Sequence, residues 1–357
     1  MFFEDFFQET VRCFYNYSKP KLFNNYHLWA CDSTVQILPD SEATRKIGVH
    51  KNQHKSVASI KISTYFDVFS KVFTNIALCD KRISDIVCCL TGQIQKIPNN
   101  TICVYDRGYG SQIIPFFHDL QGSKYVIRLR TNYSKEVIAF MKDAATDITL
   151  TIPLSERTYK RLKDYLIERS AKDLITFRLI KVVLSTGEIE VLITNLGSDF
   201  STAQLTEIYH LRWGIETAYN GIKSHQMLGT FSGYSELAIF QDIWCNFIFY
   251  NLQTITMLSA HEGLKRLNKK RTQQALDKGR QAKSYKINRN VGTNTMRQYL
   301  IPLLFGPISK ISKLLNEMIA YYLQSIERIK SNDKPRERKR IRNNDRHITE
   351  KNYKRGF

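Results

Sequence analysis

The amino-acid sequence predicts an α/β fold, a mixed β-sheet flanked by helices, with a mainly β insertion and a helical, basic C-terminal region. Three observations support this class. Residues 26–80 contain three strand-like runs, and apolar and polar positions alternate in the last two of them. From there to residue 130, helical and strand-like segments follow one another, which is typical of a sheet with helices on its faces. Strand-like runs return in 131–200, and helical spacing dominates after residue 200.

The first half of the chain has a specific order of elements. Residues 1–27 are rich in aromatic side chains and partly helical, but they are too few to form a domain. A polar loop is expected at 46–56. The remaining predictions are strands at 26–38, 56–70, 71–80, 101–106 and 124–130, and helices at 81–97 and 111–122, the latter ended by Gly122. Three antiparallel strands followed by alternating helices and strands match a ribonuclease-H-like sheet, and we assign residues 28–130 to its first part.

The second half begins with the insertion, residues 131–200, whose strands are expected at 147–154, 174–185 and 188–196. Residues 201–260 form the second part of the core, with one helix over 201–223 and a buried helix over 241–259. Residues 261–329 are predicted to be a basic helical region, loop-rich at 262–298 and helical at 301–326. In 330–357 eleven Lys and Arg outnumber four Asp and Glu. Such a segment cannot bury a core, and we expect a disordered tail that orders on a polyanion.

Charge and composition limit the classes of function. The sequence has 53 Lys and Arg against 33 Asp and Glu, a net charge of +20, which favours nucleic acid as the partner over an anionic membrane surface. No run of about 20 apolar residues is present, so no membrane span is expected. The seven cysteines form no CxxC pair, and most lie in apolar runs. They indicate reduced core residues of a cytosolic protein, not zinc ligands or disulfides.

One short run, YHLRWGIETAYNGIK, carries a chemical pattern. On a single helix, Tyr209, Arg212, Glu216 and Lys223 would project within roughly 60° of one another. That face would present a hydroxyl, a guanidinium, one carboxylate and an ammonium. A lone carboxylate among cations suits a place where a metal ion and a phosphate meet, and a solvated charged stripe is the alternative.

Two aspartates extend this pattern. Asp32 interrupts one apolar strand and Asp106 ends another, where a charge is costly unless it is compensated. Each alone could simply cap a turn at a strand end. In the predicted sheet, however, their strands are neighbours, and Glu216 can pack at the same edge. A divalent cation would remove the repulsion among three carboxylates, and Mg²⁺ prefers oxygen ligands. Two such ions clamp the attacking and leaving oxygens of a displacement at phosphorus.

The cations of the same run suit a phosphate. Arg212 can bind it in a bidentate manner, and Lys223 supplies a compact charge. Tyr209 could stack on a base, bond a phosphate oxygen or simply pack in the core.

At this point the sequence resembles a known family, the DDE transposases of IS4-type insertion sequences. The resemblance runs from about residue 28 to the basic tail and includes the complete spacing of the helical motif. The motifs that carry it are ACDSTVQILPD with Asp32, YDRGY with Asp106, LITNL at 192–196, and Tyr209, Arg212, Glu216 and Lys223.

The resemblance implies a ribonuclease-H-like catalytic core with a β-strand insertion between the second Asp and the Glu. It implies that Asp32, Asp106 and Glu216 are catalytic and hold two Mg²⁺ ions, for which Mn²⁺ can substitute. By the same resemblance, Tyr209, Arg212 and Lys223 contact the DNA of the transposon end.

The implied reaction begins with hydrolysis of a phosphodiester at the transposon end, and the freed 3′-OH then attacks target DNA. Double-stranded DNA would be the partner, both as transposon ends and as target, and two protomers would pair two ends in the synaptic complex. The implied location is the cytoplasm of a prokaryote, in association with the nucleoid.

One departure from the family pattern leaves alternatives open. Members usually carry a helical DNA-binding domain before the first Asp, whereas Asp32 lies near the start of this sequence. The chain could be a truncated, catalytically silent DNA-binding or inhibitory derivative of a transposase, or its basic 262–298 segment and tail could recognise the ends instead. A ribonuclease-H-like nuclease that is not mobile is a third interpretation.

Overall fold

The computed structural model describes residues 2–51, 55–91, 94–165, 174–184 and 187–329. The basic tail predicted for 330–357 lies outside the described residues. Contacts divide the chain into two compact units. The sheet unit comprises Ser18–His50 and Ser56–Asn220, and the helical unit comprises the described parts of Met1–Tyr17, Lys51–Lys55 and Gly221–Phe357. Residues from Gly221 onwards, including the end of the predicted core segment 201–260, therefore group with the helical unit. The finer division predicted from the sequence stays a prediction.

Nine strands of the described part of the chain form one mixed sheet. They are β1 (His27–Ile37), β2 (Val49–Lys51), β3 (Ser56–Asp67), β4 (Val72–Cys79), β5 (Thr101–Tyr105), β6 (Lys124–Leu129), β7 (Asp147–Pro153), β8 (Leu174–Val183) and β9 (Ile189–Thr194). The order across the sheet is β2-β3-β1-β5-β6-β9-β8-β7, and β4 also pairs with β3.

The pairing of these strands explains the fold class. β3 is antiparallel to both β1 and β4, whereas β1, β5 and β6 run parallel to one another. Parallel neighbours need crossover connections, and helices supply them here. Three antiparallel strands followed by parallel strands with helical crossovers confirm the predicted ribonuclease-H-like sheet.

The strands predicted within 131–200 are present as β7, β8 and β9. β9 pairs antiparallel with β6, with Ile127 opposite Ile193, and β8 and β7 follow. The inserted strands therefore continue the main sheet beyond β6.

Seven helices of the described residues begin in the sheet unit. Serine side chains at positions 41, 84, 134, 155 and 201 cap five of them by accepting a hydrogen bond from a backbone N–H of the first turn. One helix ends, as predicted, at Gly122 with φ of 72°. The helices are α2 (Glu42–Ile47), α3 (Asp85–Leu90), α4 (Ile113–Gln121), α5 (Lys135–Lys142), α6 (Glu156–Leu162), α7 (Thr202–Leu211) and α8 (Trp213–His225).

Two local predictions in this unit were wrong in part. The expected loop at 46–56 contains strand β2, although 52–54 lie outside the described residues. The helix expected over 81–97 covers α3 and, separately, a short 3₁₀ turn, Ile94–Lys96. α3 ends because Thr91 leaves the helical region, with ψ of 76°, and its hydroxyl bonds the Val87 carbonyl at 2.6 Å.

The helical unit is built from long helices and one small ribbon. α1 (Phe2–Tyr17) packs on α9 (Glu236–Ser259), where the Phe7 and Trp244 ring centroids lie 5.4 Å apart. Met318 and Tyr322 are fully buried in its core. No helix of the described residues combines the length and apolarity that a bilayer crossing requires. The other elements are α10 (His261–Leu276), β10 (Tyr285–Ile287), α11 (Arg289–Phe305), α12 (Ile308–Gln324) and β11 (Ile326–Arg328), with β10 antiparallel to β11.

Candidate active site

The predicted carboxylates lie in one strand, directly after the neighbouring strand, and in one helix of the sheet unit. Asp32 lies in the middle of β1. Asp106 directly follows β5, the parallel neighbour of β1, and Ala30 pairs with Val104 two residues before the two aspartates. Glu216 lies in the first turn of α8. The register therefore brings both aspartates to the same point along adjacent strands.

Asp106 caps the short turn Arg107–Tyr109 that follows its strand. Its Oδ1 accepts a hydrogen bond from the Gly108 N–H at 2.8 Å. A Cβ at position 108 would lie 3.0 Å from that oxygen, so glycine lets the backbone approach the carboxylate closely. The backbone thus fixes one carboxylate oxygen and turns the side chain out of its strand.

The three carboxylates share one electrostatic environment. The pKa of Asp32 is raised to about 7, chiefly because burial disfavours its charged form. The charges of Asp106 and Glu216 add to the rise in pKa. The Ser33 backbone N–H, 2.8 Å from Asp32 Oδ1, and the charge of Arg212 oppose it. A bound cation would lower this pKa again, because it favours the charged carboxylate.

Arg212 lies between two of these acids. Its Nη1 is 4.0 Å from Asp32 Oδ2, and its Nη2 donates to Glu216 Oε1 at 3.0 Å. The guanidinium packs over the rings of Tyr209 and Trp213 at 5.9 and 5.3 Å, and its side chain is only 7% exposed. Its Nε is buried and, among the described residues, has no hydrogen-bond partner. Since such a donor is costly to bury, Arg212 has bonding capacity left for an anion.

The single helix expected over 201–223 is in fact two helices that meet at Arg212. There the Arg212 N–H bonds the Tyr209 carbonyl at 3.2 Å, and the Ile215 N–H bonds the Arg212 carbonyl at 3.1 Å. Both bonds span three residues, so the backbone is wound more tightly than in an α-helix. The four motif residues are consequently divided between α7 and α8.

Tyr209 and Lys223, two of the residues expected to contact DNA, lie in different surroundings. Tyr209 is 6% exposed and interacts with Arg128, which pairs with Glu190 at 2.9 Å. Burial raises the pKa of Tyr209. Lys223 is exposed on the part of α8 that belongs to the helical unit. The DNA contacts of Tyr209, Arg212 and Lys223 stay predictions.

Tyr219 is a residue of the site that the sequence analysis missed. Its buried hydroxyl donates to the Asp32 carbonyl at 2.9 Å and lies 2.7 Å from Thr64 Oγ1. It therefore ties α8 to β1 at the position of the candidate carboxylate. Its spacing of three residues from Glu216, which places the two on one helical face, is the signal that could have identified it.

The donor set suits Mg²⁺, since the three candidate ligands offer only carboxylate oxygens. Positive charge would also stabilise the charged form of Asp32, which burial disfavours. Arg212 supplies part of that charge in this arrangement. In the described ranges, no three His, Cys, Asp or Glu side chains form a ready-made metal site. Binding would therefore require the three carboxylates to come closer to one another than they are in this structure.

Comparison with known proteins agrees with the expectation of a DDE transposase. No protein of curated function matches this sequence. The cryo-EM structure of a piggyBac transposase synaptic complex with hairpin DNA is similar, with a TM-score of 0.46 and 12% identity over 83% of this chain and 55% of that chain. The chain thus spans about half the length of that transposase. A family model described as the transposase DDE domain matches residues 29–252, well over half of the sequence. The chain therefore belongs to the transposase DDE domain family.

Proposed function

We propose that the protein is a DNA transposase, which catalyses metal-dependent phosphodiester hydrolysis at transposon ends and then strand transfer to target DNA. The observation that carries this proposal is the shared environment of Asp32, Asp106 and Glu216, in which burial and neighbouring charge raise the pKa of Asp32 to about 7. Membership of the DDE family supports the same chemistry.

The three acids are the proposed ligands of two Mg²⁺ ions, for which Mn²⁺ can substitute. Such ions, when bound, stabilise the attacking and leaving oxygens of an in-line displacement at phosphorus. Asp32 would lose its proton on binding, because a ligand carboxylate must be charged. The Tyr219 hydroxyl holds the Asp32 backbone against α8, and the Gly108 N–H orients Asp106. The backbone at Asp32 and Asp106 is thus held in place, while the carboxylate side chains would have to come together around the ions.

Arg212 is the proposed phosphate-binding residue of the site. Its planar guanidinium can donate to two oxygens at once, and Nε is buried with no partner among the described residues. A phosphate oxygen would satisfy that donor if the side chains that cover it moved aside. Tyr209 packs beneath the guanidinium, so we propose that it acts by orienting Arg212, alongside the DNA contact expected from the motif. Lys223 is proposed to contact the DNA backbone.

The proposed partner is double-stranded DNA, both as transposon ends and as target, and a net charge of +20 favours its binding. Two copies of the chain are proposed to pair two ends as a homodimer. The proposed location is a prokaryotic cytoplasm, in association with the nucleoid.

Cleavage of supercoiled DNA tests this proposal. The substrate would carry the sequences that flank the coding region, with Mg²⁺ or Mn²⁺ added. We expect nicking at the element ends and its loss in Asp32→Asn and in Glu216→Gln, because each removes a charged ligand. Glu207→Gln is the matched control, since Glu207 is exposed on α7, and it should cleave like the wild type.

Other outcomes would favour another function. Undiminished cleavage by both acid variants would reject the proposed site. DNA binding with no turnover in Mn²⁺ would favour the inhibitory derivative. Cleavage that ignores the end sequence would favour the nuclease.

A further inference from the structure

The helical unit carries a strongly basic, solvent-open cavity between α10 and β10, which we call the basic cradle. Residues 261–287 contain nine Lys and Arg but two Asp and Glu, a net charge of +7. The cavity has a volume of about 590 Å³. Its polar lining is Arg271, Gln274, Lys278, Arg280, Gln281 and Lys283.

The C-terminal end of α10 fixes one side of the cradle. The Arg280 N–H bonds the Ala275 carbonyl at 2.8 Å, and the Gly279 N–H bonds the Leu276 carbonyl at 2.9 Å. Gly279 has φ of 62°, the left-handed conformation that this type of helix ending requires. The chain therefore turns sharply, and Arg280 is held beside the last turn of the helix.

Two contacts fix the other side. Asn268 binds both backbone groups of Tyr285: its amide donates to the carbonyl and its oxygen accepts from the N–H, each at 2.9 Å. The Arg271 guanidinium lies over the Tyr285 ring, 4.6 Å from its centroid. Hydrogen bonds thus fix both ends of the loop from 277 to 284. The backbone around the cavity is therefore held in one defined conformation.

Acids compensate only a small part of the positive charge of the cradle. Glu262 pairs with Lys265, and Asp277, beside Lys278, accepts a hydrogen bond from the neutral Gln273 amide, each at 2.8 Å. Like charges held together in one frame repel, and an anion among them relieves that repulsion. Among the described residues, four cations of the cradle form no ion pair: Arg271, Lys278, Arg280 and Lys283.

We propose that the basic cradle binds the sugar–phosphate backbone of duplex DNA, at a site separate from the carboxylates. Cations spaced around an open cavity can pair with the phosphates of a nucleic-acid backbone. The Tyr285 ring of the lining is already covered by Arg271, so it is not available to stack on a base. The cradle therefore adds affinity without reading sequence. The choice of DNA as the polyanion rests on the proposed function.

Fluorescence anisotropy with the full chain and a short labelled DNA duplex of arbitrary sequence, in EDTA, tests the cradle. We expect Lys278→Gln/Lys283→Gln to raise Kd about tenfold at physiological salt. The slope of log Kd against log salt concentration should fall by about 2, because each lost phosphate contact removes about 0.9. Lys278→Arg/Lys283→Arg keeps the charge and should bind like the wild type.

Lys310→Gln/Lys313→Gln is the matched control, because these lysines are exposed on α12 of the same unit and away from the cavity lining. It should change Kd less than about twofold. Equal weakening by the two lysine pairs, or no weakening by the cradle pair, would overturn the proposal. Tighter binding of an RNA duplex of the same length would also overturn it. The assay needs neither metal nor cleavage, so an inactive carboxylate site would leave its result unchanged.

Discussion

Among single residues, Tyr219 makes the clearest link between packing and the candidate site. Tyr219→Phe removes the donor to the Asp32 carbonyl and leaves the Thr64 hydroxyl buried without that partner. We expect the free energy of unfolding to fall by about 1–3 kcal/mol, the usual cost of such a loss. Cleavage should fall as well, because β1 and α8 lose their link. Tyr17→Phe, at an exposed hydroxyl, is the control and should change neither quantity.

Denaturant unfolding and end cleavage, measured on the same preparations, check this prediction. A Tyr219→Phe protein with wild-type stability and wild-type cleavage would show that the hydroxyl does not position Asp32.

His118 makes the stability of the sheet unit depend on pH. Its Nε2 lies 2.7 Å from the Tyr105 hydroxyl and its Nδ1 2.6 Å from Ser123 Oγ, and burial lowers its pKa from 6.5 to about 3. Between those values the unfolded chain binds more protons than the folded one. The free energy of unfolding should therefore fall as the pH drops from about 6.5 towards 3, by at most on the order of 4 kcal/mol.

Urea unfolding across that pH range measures the effect. His118→Gln should be less stable near neutral pH and should show a flatter pH dependence, because the titrating group is gone. His210→Gln, at an exposed histidine, is the matched control and should keep the wild-type slope. An unchanged slope in His118→Gln would contradict the assignment.

At the scale of elements, a capping box fixes the start of α7, the helix that carries Tyr209. Ser201 and Gln204 form a reciprocal capping box, in which each side chain bonds the other residue's backbone N–H. Ser201→Ala should lower stability by about 1 kcal/mol. In thermal melting this corresponds to a Tm lower by about 2–4 °C. Ser312→Ala, inside α12, removes the same hydroxyl without a cap and should not lower Tm.

The elements also show what a local pattern can predict. Strands β1 and β3 to β6 lie where the sequence predicts strands. β3 and β5 are buried along nearly their whole length, so alternation of buried and exposed positions is not what defines them. The loop-rich assignment of 262–298 was wrong, since α10 occupies much of it. Its Lys, Arg and Gln residues are good helix formers, and a nearly all-polar helix shows little amphipathic spacing.

At the scale of the whole molecule, the strand order of the sheet determines which site residues are neighbours. Strand order predicts that β1 and β5 are neighbours, so the meeting of Asp32 with Asp106 could be expected from the sequence. The burial of Arg212 could not, because it depends on how α7 packs against β5, β6 and β8. The helix break at Arg212 has one local signal, since Gly214 is a poor helix former, but a single glycine does not by itself end a helix.

The central claim is that Asp32, Asp106 and Glu216 bind the same cations, and anomalous diffraction from crystals soaked in Mn²⁺ tests it most directly. We predict manganese peaks in contact with all three carboxylates and loss of those peaks in Asp32→Asn crystals. Manganese bound elsewhere on the protein, with these three side chains unligated, would contradict the claim.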